Sequence, residues 1–530
     1  MVSGATRRRA LLILIFSAVL VSPSVSQSLP PASACEYLVL VSVDGALPAY
    51  FDFPGLRQIE AFRRGGAWYG GGWVAAFENN TPPGHAQMAT GSFPRTNGIL
   101  GFGWGNPDTG ERVQVAHGAP LEEGLMDSIV RGRGVPTLSG LVKAAYPDAR
   151  TAAISGSKPY AAAALGVGPT DFILYAERKK KPGVARDFVE GFEVPAAVEL
   201  VPRALPGKSP GDAFLARSGL VLSMGAVEAA AYPFALAETL AREYRPRALM
   251  INVSETDNFG HATGGMTSPK VMASVMREVD RGLAALVRTY RDLGLYDRTL
   301  WILTSDHGMT PGLVTRFNED VRKAVTGGKG DRIAVPGTYT RTARARETAE
   351  RMEAAALPDV TGVYFREFSA GRWRYRAGPE TAARLDPDLD AAHRFILDNY
   401  ATEYSYTVAA PTKEGVLYET EGKARKGAHG ELNWINQNIP ILLFGPGVRP
   451  GFSSDHPARL VDILPTAARL LGLEPPSCDG IVLADALVSS GPKNADRQAE
   501  VKAREAPLRD ALRASAAGFL DGILATGGVK

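Results

Sequence analysis

Tyr37-Leu38-Val39-Leu40-Val41-Ser42-Val43-Asp44-Gly45 is the stretch from which the fold of this chain can be read. Its aliphatic run shows no alternation with polar residues. That suits a strand buried on both faces, as in a parallel sheet covered by helices. The run ends in an acid and a glycine. In open α/β sheets ligands gather beyond the carboxyl ends of the strands, so Asp44 is a candidate site residue as well as an ordinary turn aspartate. Similar runs stand at 150–155, 247–253, 300–304 and 439–444, with helical patterns at 137–145, 226–242, 271–293 and 461–472. This alternation predicts an α/β fold with a mostly parallel sheet sandwiched by helices.

The 530 residues are too many for one small core, so several domains or one large domain with insertions are expected. With 45% apolar and 22% charged residues, bulk disorder is excluded. A net charge of +3 is near balance, and no basic block interleaved with aromatics points to nucleic acid. Lys179-Lys180-Lys181 suits a solvated loop.

Arg7-Arg8-Arg9, an apolar run over 10–21 and small residues over 22–28 follow the order of a secretory signal peptide. Removal of residues 1–28 is expected to leave a periplasmic or secreted chain without a membrane span. Ala32-Ser33-Ala34-Cys35 faintly resembles a lipoprotein box but stands well past the apolar run. Cys35 and Cys478 leave one disulfide or two thiols open.

Texture divides the remainder. Residues 35–310 and 427–490 read as two parts of one catalytic α/β domain. Residues 311–426, rich in Arg, Glu and Tyr, read as an inserted α+β cap, and 491–530 as a charged helical tail. The Pro- and Gly-rich 178–218 reads as a surface excursion, and the glycine-dense 98–110 as loop.

Asn79-Asn80-Thr81-Pro82-Pro83-Gly84-His85 follows the apolar run Trp73-Val74-Ala75-Ala76-Phe77. Two prolines cannot continue a ladder, so the chain turns. Thr81 is expected between a strand end and a helix, with its hydroxyl exposed. A helix cap accounts for this, and so does a nucleophile activated by a base or a metal. Of seven histidines, His261, His307 and His429 follow predicted strands or loops with Asp or Gly beside them. With Asp44, Asp257 and Asp306 they make six candidate ligands, most of them at predicted strand ends. Asp257 and His261, four apart, reach one ion where the backbone turns. Two three-ligand sets leave open positions, as catalytic zinc sites do. Two ions about 4 Å apart clamp the entering and leaving oxygens of an in-line displacement.

In this order, Asp44-Gly45, Thr81 to His85, Asp257 with Gly260-His261, Asp306-His307-Gly308 and His429-Gly430 resemble the alkaline phosphatase superfamily. The likeness is to its type I phosphodiesterase/nucleotide pyrophosphatase branch and to related single-domain alkaline phosphatases. It covers most of 36–312 and 427–485. It implies two zinc ions, one held by Asp44, Asp306 and His307 and the other by Asp257, His261 and His429. Thr81, lying across one of them, would be transiently phosphorylated and then released by water. The substrates implied are small phosphate esters. Two departures bear on which esters. Relatives usually carry a phosphoryl-contacting asparagine about twenty residues after the nucleophile; here that position is Phe102, with Asn106 nearby. Monoesterase-like relatives carry Lys-x-Arg where this chain has Lys158-Pro159-Tyr160. Lysine supplies one point charge, and a monoester dianion needs more. The resemblance therefore leans to a phosphodiesterase, with an alkaline phosphomonoesterase as the alternative. A non-catalytic binding protein on the same scaffold is the rival from another class. Asn80, Asn106, Phe102 and Tyr160 are candidate substrate contacts, the two rings as an apolar wall or simply as packing.

Overall fold

Tyr37–Val43 is strand β1, buried at every residue after Tyr37. It lies between two parallel neighbours, which satisfy its backbone on both edges and free both faces for apolar side chains. The computed structural model describes residues 34–178, 198–207, 209–220, 222–224, 227–328, 330–422 and 425–527. The expected signal peptide and the lysines at 179–181 lie outside the described residues.

The other strands of this sheet are β2 (Ala67–Trp73), β3 (Thr151–Ser155), β4 (Phe172–Arg178), β5 (Val198–Ala204), β6 (Leu222–Met224), β7 (Ala248–Val253), β8 (Thr299–Thr304), β9 (Asn438–Phe444) and β10 (Phe452–Ser453). Their order is β10-β2-β9-β8-β1-β7-β3-β4-β5-β6. The centre, from β8 to β4, is parallel. Strand β9 runs antiparallel to both β8 and β2, and β5 and β6 are antiparallel at the other edge. Thus the mostly parallel, helix-covered sheet is present, with edges whose direction the apolar runs did not reveal.

Alternate residues of each central strand enter opposite cores. Leu38, Leu40, Leu300 and Ile302 join one cluster; Val39, Val41, Trp301 and Leu303 join the other. The helix Pro269–Asp292 covers the second cluster with Val275, Met276, Val279, Leu283 and Leu286.

Two expectations need correction. Part of 178–218 is not a surface excursion: Val198–Ala204 extends the main sheet and Ser209–Ser218 is a helix. Val198-Glu199-Leu200-Val201, followed by Pro202, has the alternating, proline-tolerant character of a strand near a sheet edge. The glycine-rich 98–110 contains the first strand of a hairpin, Gly103–Gly105 paired with Arg112–Gln114. Glycine there gives room rather than disorder: a Cβ on Gly103 would meet Val113 O at 2.9 Å.

After β8, Thr310–Pro311 pairs antiparallel with Gly427–Ala428. Between these points the chain builds a separate four-stranded sheet from Gly337–Thr338, Tyr364–Ser369, Arg372–Ala377 and Val408–Ala409. Its small core includes Val321, Ile333, Met352 and Val408. The last long helix, Pro492–Ser515, is anchored through Glu505, which accepts from buried Arg459 at 3.0 Å. Both cysteines are free thiols. No helix among the described residues is long and apolar enough to cross a membrane.

Candidate active site

Thr81–Thr90 forms helix α1, buried along its whole length. Pro82 and Pro83 fall in its first turn, where their missing amide hydrogens leave no helical bond unmade. Asn80 stands at the N-cap in extended conformation without capping through its side chain. Thr81 therefore opens a helix rather than following a strand, and it is only 1% exposed. The expected exposed hydroxyl is instead enclosed, because α1 is pressed against the end of β8. Gly84 allows that approach: a Cβ there would stand 2.5 Å from the Asp306 carbonyl oxygen.

Seven residues, 74–80, connect β2 to α1. Ala75 (φ 59°) and Glu78 (φ 53°) are left-handed there, which costs on the order of 1 kcal/mol for each non-glycine residue. Gln437 Oε1 accepts from the Ala75 amide at 3.0 Å, and Gln437 Nε2 donates to the Ala76 carbonyl at 3.0 Å.

Two further helices start at strand ends: α2 (Pro159–Leu165) after β3 and α3 (Glu255–Thr263) after β7. Asp44 follows β1, and Asp306 and His307 follow β8. Lys158, at the N-cap of α2, is buried and donates to Asp44 Oδ1 at 2.8 Å and Asp257 Oδ2 at 2.6 Å. Its Nζ also lies 3.3 Å from Thr81 Oγ1. Asp257 and His261 sit one turn apart on α3. Asp257 Oδ1 faces His261 Nε2 at 3.4 Å and His429 Nε2 at 3.3 Å. His307 Nε2 faces Asp306 Oδ2 at 3.3 Å and Asp44 Oδ1 at 3.6 Å, and its ring stacks on His429 at 3.6 Å. All six expected ligands thus converge with Thr81 and Lys158. Ligand atoms within 4.8 Å of one another group as Asp44, Asp306 and His307, and as Asp257, His307 and His429. His307 is common to both groups, and His261 reaches Asp257 from the side.

These residues fit divalent cations. His261, His307 and His429 each turn Nδ1 to a backbone carbonyl, of Gly427 (2.7 Å), Gly308 (2.9 Å) and Asn79 (3.3 Å) respectively. That fixes the tautomer and aims Nε2 inward with its lone pair free. Asp257 Oδ1, Asp306 Oδ2 and His307 Nε2 are buried without a hydrogen-bond partner. Burial and then Asp306 push Asp44 well above the carboxylate range. Burial opposes charge on Asp257 as well, but Lys158, His261 and His429 hold it well below that range. Burial and the neighbouring His307 lower His429 to about 3, so its imidazole is neutral. Burial favours a neutral Lys158, yet Asp257 and Asp44 keep it an ammonium. With Asp44 held toward its neutral form, the carboxylates of Asp257 and Asp306 against the one Lys158 ammonium still leave excess negative charge, which cations would neutralise.

Two residues given no role of their own in the sequence reading support this arrangement. Asn252, on β7, donates from Nδ2 to Asp44 Oδ2 at 2.8 Å and faces His85 Nε2 at 3.1 Å. His85 in turn donates from Nδ1 to the Thr81 carbonyl at 2.7 Å. The signal for Asn252 was a lone amide inside an apolar strand.

The candidate substrate contacts divide. Phe102 and Tyr160 meet edge to face at 5.1 Å, and exposed His117 closes on Tyr160 at 5.8 Å. Burial lifts Tyr160 to about 12; Lys158 opposes this, and Asp44 and Asp257 add to it, so this ring lies within electrostatic reach of the site. Asn106 sits in the hairpin turn, where Oδ1 accepts from the amides of Asp108 (2.9 Å) and Thr109 (3.3 Å); the turn's own backbone thus uses it. Asn80 donates its side-chain amide to Glu78.

The sequence profile of the family described as type I phosphodiesterase / nucleotide pyrophosphatase matches residues 38–429. No curated protein matches the chain significantly. Among solved structures, the wild-type alkaline phosphatase PafA superposes with a TM-score of 0.62 at 16% identity, covering 86% of this chain and 99% of that one. Murine ectonucleotide pyrophosphatase/phosphodiesterase 5 gives 0.55 at 17%, covering 84% and 97%. An inactive threonine-to-alanine variant of that protein, solved in complex with AMP, gives 0.55 at 17%, covering 87% and 99%. At these identities the likeness establishes an alkaline phosphatase-like fold.

Proposed function

The chain belongs to the type I phosphodiesterase/nucleotide pyrophosphatase family and is a phosphoric ester hydrolase; from that premise we propose that it is a secreted, two-zinc hydrolase of small phosphodiesters acting through Thr81. One observation carries this reading. The Lys158 ammonium touches Asp44 and Asp257, one carboxylate from each expected ligand set, and stands 3.3 Å from Thr81 Oγ1. The nucleophile therefore sits where the two sets meet.

Asp44, Asp306 and His307 would hold one zinc, and Asp257, His261 and His429 the other. When bound, zinc supplies Lewis-acid stabilisation of the entering and leaving oxygens and eases ionisation of the threonine hydroxyl. The chain's own residues do the rest. Thr81 Oγ1 attacks phosphorus, the ester oxygen departs on the opposite side, and Thr81 is left phosphorylated. Water then attacks the phosphothreonine and frees phosphate ester and hydroxyl. Lys158 is held as an ammonium and so cannot take the Thr81 proton. Its role is to donate a hydrogen bond to a phosphoryl oxygen beside Thr81, where charge builds up. His85 and Asn252 hold the Thr81 backbone and Asp44 in register.

Charge favours diesters. Among the described residues, the one cationic side chain at Thr81, Lys158, is already shared by two aspartates, and the neutral rings of Phe102 and Tyr160 stand nearby. A monoanionic diester needs less positive charge than a monoester dianion, and its second ester group can lie on the apolar wall. The N-terminal pattern supports export.

The reading is tested with purified, zinc-loaded protein on an aryl phosphate monoester and a matched aryl diester. The diester is expected to turn over faster, and Thr81→Ala to lower kcat by at least about a thousandfold. A monoester preference would establish the phosphomonoesterase alternative. Zinc-bound protein without Thr81-dependent turnover of either ester would overturn this reading and point to another substrate class or to the binding protein.

A further inference from the structure

The connection that delivers Thr81 has a costly backbone, and part of what holds it comes from the 311–426 insertion. Ala75 and Glu78 are both left-handed. Non-glycine residues keep such conformations only where their surroundings over-determine them, and they concentrate where geometry serves function. Asn399, from the insertion, donates its side-chain amide to the Ala75 carbonyl at 2.8 Å. Phe77 packs against two tyrosines of the insertion, Tyr400 at 5.3 Å and Tyr406 at 5.9 Å. Tyr339 closes on Tyr406 at 4.7 Å.

Glu78 is the junction. Its Oε1 accepts the hydroxyl of Tyr406, and its Oε2 accepts the side-chain amide of Asn80, the residue directly before Thr81. The Asn80 backbone N–H donates to the Glu78 carbonyl at 2.6 Å. The Asn80 side chain also bears on the loop of His429: a Cβ on Gly430 would stand 3.2 Å from Asn80 Oδ1. One carboxyl group therefore ties the insertion to the cap of the nucleophile helix, and through it to a ligand loop. Enclosure raises that group to about 7, against the pull of Tyr406 and Asn80, so its bonds are made at a desolvation cost.

We propose that Glu78, anchored by Tyr406, is a positioning residue for Thr81, and that the insertion thereby takes part in catalysis. This rests on Thr81 being the nucleophile. Misplacing a reacting atom by about 1 Å costs on the order of 100-fold in rate. Ground-state binding of the ester does not require the same precision. The expected signature is a loss in kcat with KM unchanged.

The test uses the full-length, zinc-loaded protein with an aryl phosphodiester, and bound zinc is measured for every variant. Glu78→Ala and Tyr406→Phe are expected to lower kcat about 10- to 100-fold, with KM within about twofold and zinc content unchanged. Glu78→Gln keeps an acceptor for Tyr406 and, once the Asn80 side-chain amide turns over, offers its NH2 to Asn80 Oδ1, so it is expected to stay within about threefold of the parent. Unchanged kcat in both Glu78→Ala and Tyr406→Phe overturns the proposal, as does a loss that tracks zinc release or appears in KM. Should Glu78→Ala not fold, Tyr406→Phe, which removes a single hydroxyl, decides alone. Thr81→Ala run in parallel separates the two levels. Full activity in Thr81→Ala overturns the nucleophile assignment and this proposal together. Inactive Thr81→Ala beside fully active Glu78→Ala and Tyr406→Phe overturns the positioning role only.

Discussion

At the scale of single residues, the site is a set of side chains aimed by partners one bond further out. Asn252 shows how. Its amide holds Asp44 Oδ2 and faces His85 without touching Thr81 itself. Removing such a partner typically costs 10–100-fold in metal affinity. If the proposed zinc sites are right, Asn252→Ala is expected to weaken binding of the metal about 10- to 100-fold in a chelator competition, with little change in secondary structure by circular dichroism. The candidate ligands were legible because Asp44, Asp257-His261, Asp306-His307 and His429-Gly430 are local words, most of them at or just past the end of a recognisable strand. Asn252 was not, because a lone amide in an apolar strand does not say which partner it meets 208 positions away.

At the scale of elements, the decisive contact is between helix α1 and the segment after β8. Gly84 is the only kind of residue that fits, since a Cβ would lie 2.5 Å from a backbone oxygen that has little freedom to move. Overpacking of this type costs typically 1–3 kcal/mol. Gly84→Ala is expected to lose about that much stability in urea unfolding and to lower kcat about 100-fold, because Thr81 shifts relative to Asp306. Parent-like activity would mean that α1 can slide without harm. Helix and strand positions in the centre of the chain followed from periodicity. The antiparallel edges did not, since an apolar run has the same pattern in either direction.

At the scale of the whole molecule, the segment 311–426 and the chain that follows it meet around two buried glutamates. Glu414 Oε1 accepts from the Ile435 amide at 3.1 Å. Burial raises Glu414 and Glu431 each to about 8, from an ordinary 4.5. Between those values the folded chain keeps protons that the unfolded chain has lost. Stability should therefore be greatest at low pH in this window and fall as pH rises from about 4.5 through about 8. The thermal midpoint, scanned across this range, is expected to drop, and Glu431→Gln to flatten the slope. A slope unchanged in Glu431→Gln would assign the loss to other groups.

The sequence alone determined the α/β class, the strand-end placement of most of the candidate ligands and the segment that carries the proposed nucleophile. Each of these is written in short-range periodicity or in neighbouring residues with distinctive chemistry. Only the tertiary structure decided that Thr81 is enclosed, that His307 is common to both groups of ligand atoms, that Asn106 serves a turn, and that Tyr406 reaches Glu78 across 328 positions. Those outcomes depend on which distant segments are packed together, and no local pattern of residues encodes that packing.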